Sequence, residues 1–224
     1  MIKQFKMGFK MLRYAHGIKS CIVWCFITFL MGVLLEIGAV EENVGGNHVA
    51  IYLVMMIAIW PLQLLVSLNV PNVVASSPWK KKIQTSVMAL ISVFTFLISY
   101  IVVVSIEGIK YSIGRTRAED FTFYVIWAAC FAMVLMLYMA FSMKYFVVST
   151  IGFIVVMSST SIIVSLRQYT DLEIFHKTFH PAVTILLGGV LIVVGALLEY
   201  GVSLLIYKAP VSKYAQMNSL RKKM

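Results

Sequence analysis

Six apolar runs, each about 20 residues or longer, fill most of this chain: about 21–40, 50–70, 87–106, 122–142, 145–165 and 182–207. A bilayer core of about 30 Å takes about 20 residues of helix to cross. Hydrocarbon offers no partner to an unpaired N–H or C=O, so only helices and closed barrels can span it. The alternation of a lipid-facing barrel strand is absent, and the runs therefore predict six transmembrane α-helices. Hydrophobic residues make up 61% of the 224 and charged ones 12%, against about 45–50% and about 25% in a soluble domain. That excess cannot be hidden in one core of this size, which excludes a soluble enzyme, a secreted disulfide scaffold and a disordered polybasic chain. The expected fold class is all-α integral membrane. Residues 1–20 form an interfacial helix, 21–207 a six-helix transmembrane domain, and 208–224 a basic tail. Ser142, Met143 and Lys144 alone separate the fourth and fifth runs, so that turn must be tight.

The basic residues set the orientation. With six spans both termini share a side. That side holds Lys3, Lys6, Lys10, Arg13 and Lys19, then Lys80, Lys81 and Lys82, then Lys144, and finally Lys208, Lys213, Arg221, Lys222 and Lys223. The other side holds Lys110, Arg115, Arg117, Arg167 and Lys177. Fourteen of the 19 Lys and Arg thus lie on one side, which the positive-inside rule makes cytoplasmic. The acids agree: Glu41, Glu42, Glu107, Glu119, Asp120, Asp171 and Glu173 fall in outer loops, Glu36 and Glu199 within spans, and none in a cytoplasmic segment.

The N-terminal segment does not read as a secretory signal, because the apolar run after Ser20 is too long for an h-region. Ile2, Phe5, Phe9 and Leu12 recur at spacings of three and four and form one helical face, beside a face of Lys3, Lys6, Lys10 and Arg13. Such a helix lies in the headgroup region, apolar side down, cations against anionic lipid. The alternative is an ordinary topogenic basic tail.

Candidate chemistry is sparse. Cys21, Cys25 and Cys130 sit in apolar stretches and read as packing residues, with no disulfide framework. All four histidines lie outside the spans. His176 and His180 are four apart in an outer loop with Asp171 and Glu173, a spacing compatible with a metal, but Pro181 ends any helix there and a solvated loop is the reading preferred. No nucleophile elbow, zinc helix or P-loop occurs, so no catalytic or metal site is assigned and no nucleotide is bound by this chain. The basic face follows from topology and needs no nucleic acid.

Two features inside the spans stand out. Glu199 lies within the sixth run, where an ionised acid costs about 2.5–3.5 kcal/mol on insertion scales. It is therefore protonated, paired or facing a cavity. A substrate-pathway contact, a subunit-interface ion pair and a simple reach to the inner interface all remain open for it, whereas Glu36 reads as interfacial. Ser158, Ser159, Thr160 and Ser161 are consecutive in the fifth run, and Gly188, Gly189, Gly195 and Gly201 punctuate the sixth. Helix packing is the default for both sets. A polar translocation path through Ser158, Ser159 and Ser161 is the functional alternative.

Between the second and third runs comes Val70-Pro71-Asn72-Val73-Val74-Ala75-Ser76-Ser77-Pro78-Trp79-Lys80-Lys81-Lys82-Ile83-Gln84-Thr85-Ser86. Two prolines and paired serines break the helix, and a Trp and three lysines then meet the inner interface. This stretch resembles the first cytoplasmic loop of small type-2 ATP-binding-cassette exporter permeases of low-GC Gram-positive bacteria. There a motif like Ala-Ser-Ser-Pro-x-Lys-Lys-x-x-Gln-Thr-Ser follows the second span. The matching residues are Ala75, Ser76, Ser77, Pro78, Lys80, Lys81, Gln84, Thr85 and Ser86. The whole layout is similar to that family too, and most of all to exporters of phenol-soluble modulins, which are short amphipathic peptide toxins.

The resemblance implies a half-transporter permease in a homo- or heterodimer with a second permease, served by separate ATPase subunits that hold the ATP and magnesium. Pro71, Asn72, Ser76, Ser77, Pro78, Trp79, Lys80, Lys81 and Lys82 would form the element that couples to the ATPase. The substrate would be an amphipathic peptide or a similar lipid-partitioning molecule. A non-transporting immunity or sensory membrane protein is the alternative from another class. A channel or secondary transporter would call for a more polar pore than Glu199 and the serines offer.

Overall fold

The structure is a computed structural model and describes residues 18–38, 44–58, 80–142, 144–169 and 178–209. Its elements are α1 (Ile18–Gly38), α2 (Val44–Met56), a helical turn Lys80–Lys82, a π-helical turn Ile83–Val87, α3 (Met88–Ser112), α4 (Ala118–Ser142), α5 (Phe146–Tyr169) and α6 (Pro181–Ile206). The described residues include no strand. Three helices, Ile83–Ser112, Ala118–Ser142 and Pro181–Ile206, are long and apolar enough to cross a bilayer. The interfacial helix face of Ile2, Phe5, Phe9 and Leu12, the residues 71–79 and the tail beyond 209 lie outside the described residues.

Local chemistry explains the helix ends. Pro181 occupies the first turn of α6, where its missing N–H costs nothing, and the N–H groups of Val183 and Thr184 bond the His180 carbonyl. Glu119 and Asp120 in the first turn of α4 complement the positive end of its dipole. At the end of α3, Arg115 N–H reaches the Lys110 carbonyl and Gly114 N–H the Tyr111 carbonyl, with Gly114 at φ +73°. This is a Schellman cap, and it needs the left-handed backbone that glycine adopts without strain. The α4–α5 turn is as tight as expected, closed by Lys144 and Tyr145 N–H groups on the Phe141 carbonyl.

The helix α4 forms the hub, in contact with α2, α3, α5 and α6. Ala128, Ala129 and Ala132 let its neighbours close in, and Leu135, Met136 and Met139 fill the layers below. The helix α6 meets it along a stripe of small residues. A Cβ on Gly195 would stand 3.1 Å from Met133 Cγ and from Met136 Sδ. On the same stripe Gly188 abuts the Tyr100 ring of α3, whose hydroxyl donates to the Ile185 carbonyl at 3.0 Å. Gly32 of α1 similarly lies against the Val54 backbone of α2, a 2.8 Å approach for a Cβ. Small residues at these crossings produce the close backbone approach typical of helices in lipid.

The outward surface is apolar. On α1, Ile22, Val23, Trp24, Phe26, Leu30 and Leu34 are exposed, and on α6 Val183, Leu186, Val190, Val193, Leu197 and Leu205. Contiguous faces of this size are not kept against water, and lipid accommodates them. Several hydroxyls turn back onto their own helices: Thr95 to the Ile91 carbonyl, Ser99 to Thr95, Ser105 to Ile101. A membrane helix can thus carry Ser and Thr with no partner from outside.

Candidate functional site: buried charges in the helix bundle

The helix α3 extends to Ser112, past the boundary at 106 that hydrophobicity suggested, and this relocates two charges. Glu107 and Lys110, expected in an outer loop, lie on a buried helix face. Glu36, expected at the interface, is fully buried as well. The three form one cluster: Lys110 Nζ donates to Glu36 Oε1 and to Glu107 Oε1, both at 2.8 Å. An ammonium between two carboxylates offsets part of the desolvation that either acid alone would suffer, so the helix continues through them. Glu36 Oε2 and Glu107 Oε2 are buried with no hydrogen-bond partner. The cluster pins α1 to α3.

Glu199 is fully buried on α6, and Ser92 Oγ of α3 donates to its Oε1 at 2.8 Å. Its Oε2 has no hydrogen-bond partner, and among the described residues no cation pairs with it. Thr184, Gly188, Ile192, Gly195, Glu199 and Ser203 are all buried, at steps of three or four, with Ala196 beside Gly195, so Glu199 points along the packing stripe into the bundle. Of the readings open for it, a reach to the aqueous interface does not match this burial.

The hydroxyl cluster of α5 is elsewhere. Ser158 and Ser159 are exposed, and Ser159 Oγ bonds its own helix at the Val155 carbonyl. Thr160 Oγ1 bonds the Met157 carbonyl and lies 3.4 Å from the Tyr52 hydroxyl of α2. The Ser161 side chain is outside the described residues. The helix α5 packs on α4 and α2, whereas Glu199 lies on α6 against Ser92 of α3.

A third polar region closes the bundle where α6 ends. Buried Lys144 donates to the Tyr207 carbonyl at 3.2 Å and to the Ala209 carbonyl at 2.7 Å, which satisfies acceptors the last helical turn leaves open and sets a cation at its negative end. Lys81 Nζ stands 5.1 Å from the Tyr207 ring centroid. Gln84, within the π-turn, is buried beside Lys144 and Ser203 with neither amide atom bonded. Lys80–Lys82 is helical and runs through the π-turn into α3 as one rod. Pro71, Asn72, Ser76, Ser77, Pro78 and Trp79 lie outside the described residues.

The described residues contain no group of three or more His, Cys, Asp and Glu placed to hold a metal. His180 is exposed and precedes α6, and His176 lies outside the described residues. Cys25 and Cys130 are half-buried.

Sequence reasoning missed the ionic cluster and the Ser92 contact. Glu107 and Lys110, oppositely charged at i and i+3 within the apolar stretch Ile101–Ile113, carried a signal for the first. Ser92 carried none. Comparison of the chain with protein-family models, with curated proteins and with solved structures gave no match.

Proposed function

We propose that this chain is the permease subunit of an ATP-driven exporter. It has six transmembrane helices, both termini on the cytoplasmic side of a bacterial cell membrane, and a separate ATPase docked at the 71–82 segment. The observation that carries this reading is the continuity of Lys80–Lys82 through Ile83–Val87 into α3, with the end of α6 tied to the same turn through Tyr207. A push on this segment shifts the ends of α3 and α6 together instead of being absorbed by a loop. Single π-turns inside α-helices are frequent at functional sites.

The substrate is an amphipathic peptide or a similar lipid-partitioning molecule. The apolar surface of the described helices supports it, since a sugar or free ion would need several convergent polar ligands.

Affinity purification of the tagged chain from its native membrane tests the proposal. A P-loop ATPase should copurify, and the complex should hydrolyse ATP faster when an amphipathic helical peptide is added. A chain that isolates without an ATPase under mild detergent would leave the non-transporting immunity or sensory reading in its place.

A further inference from the structure

Gln84 brings a primary amide into the bundle from the π-helical turn, which packs against α6, and the residue is only 3% exposed. Among the described residues neither its Oε1 nor its Nε2 has a hydrogen-bond partner. A primary amide offers two donors and an acceptor, and burying them unpaired is unfavourable. Its neighbours are engaged elsewhere. The Thr85 hydroxyl donates to the Lys81 carbonyl at 2.7 Å, and Lys144 donates to the carbonyls of Tyr207 and Ala209.

The amide stands at a small cavity of about 10 Å³ between the π-helical turn, α4 and α6. Ala140 of α4, Lys144 of the α4–α5 turn and Ser203 of α6 line it together with Gln84. Space of that size takes one water molecule, and buried waters bond polar groups that lack other partners. Ser203 is itself buried, and its hydroxyl rotates to donate or to accept. A cation here would meet the Lys144 ammonium, and an anion would leave the Gln84 carbonyl oxygen without a donor. Water both donates and accepts, which suits the amide and the hydroxyl together.

We infer that this cavity holds one ordered water, bridging the Gln84 amide to the Ser203 hydroxyl. The bridge ties the turn that leads into α3 to the last turn of α6. The site does not depend on the exporter reading.

Density from the full chain in a lipid nanodisc, at a resolution that shows ordered water, tests this without any variant. One isolated peak should lie within hydrogen-bond distance of both Gln84 and Ser203. Thermal unfolding gives a second readout. Gln84→Met keeps the side-chain volume and removes the amide, and it should lower the midpoint by about 2–4 °C, the shift for one lost hydrogen bond in a chain of this size. Ser203→Ala should lower it as well, and the double variant should fall no further than Gln84→Met, because either change alone breaks the bridge. An empty cavity in the density would overturn the site, and so would a side chain of residues 210–224 filling it. A midpoint raised by Gln84→Met would do the same, since that is the result for an amide buried without a partner. Losses of the two single variants that add in full would also remove the bridge.

Discussion

Lys110 and Glu36 stand 74 positions apart in the chain and meet at 2.8 Å, joining the end of α3 to α1 inside the bundle. Glu107 takes a second bond from the same ammonium, so one cation serves two buried acids. Charges that would otherwise end a membrane span are neutralised within it.

Removal of the ammonium by Lys110→Met leaves two buried carboxylates without a counter-ion. The expected loss is about 3–5 kcal/mol, the range for breaking one side of a buried pair. Simultaneous Glu36→Met, Glu107→Leu and Lys110→Met should recover most of it, because apolar replacement of a whole buried ionic group is often neutral. Thermal unfolding of the purified chain in detergent measures both, and an unchanged midpoint for Lys110→Met would remove the cluster as a structural element.

The Glu199–Ser92 contact separates charge from shape. Glu199→Gln keeps an acceptor for Ser92 and should leave insertion and stability close to wild type, while lowering peptide export if the carboxylate lies on the substrate route. Ser92→Ala leaves the acid unsupported and should cost about 1–3 kcal/mol. Export assays beside unfolding curves read the two effects apart. Undisturbed export by Glu199→Gln assigns the acid to packing.

Gly188 leaves no room for a side chain against the Tyr100 ring. Gly188→Leu should destabilise by about 1–3 kcal/mol through overpacking. Tyr100→Ala in the same chain should relieve part of that loss, and a double-mutant cycle on thermal midpoints gives the coupling. Strict additivity would show that the two residues do not share this crossing.

Joint replacement of Pro78, Trp79 and Lys80 by alanine tests the coupling role. Membrane insertion should persist while export falls at least about tenfold, equal to about 1.4 kcal/mol in the coupled step. Vesicle transport with parallel ATPase measurement checks this, and wild-type transport would remove the assignment.

Orientation has its own reporter. With the native cysteines changed to serine, Lys208→Cys should react with a membrane-impermeant maleimide only after the cells are opened, and Arg115→Cys should react in intact cells. Both side chains are exposed. The reverse pattern would invert the proposed topology.

Much of the helical layout was legible in the sequence. Apolar length located α3, α4 and α6, and the three residues between the fourth and fifth runs announced the tight turn that Phe141 closes. Hydrophobicity failed at the far end of α3. It treats Glu107 and Lys110 as signs of water, whereas Gly114 is what actually terminates the helix. For the Ser158 to Ser161 run the sequence made packing the default and left a polar path as the alternative, because composition says nothing about direction. The described hydroxyls turn back onto α5 or face outward.

The sequence by itself determined that this chain is helical and suited to a membrane, because lipid forces each backbone amide to find its partner within its own segment. It also determined which ends of the runs carry cations. Only the tertiary structure decided which charges lie inside. The cost of burying Glu36 or Glu199 depends on what stands 3 Å away, and those partners, Lys110 and Ser92, come from helices that packing alone brings together.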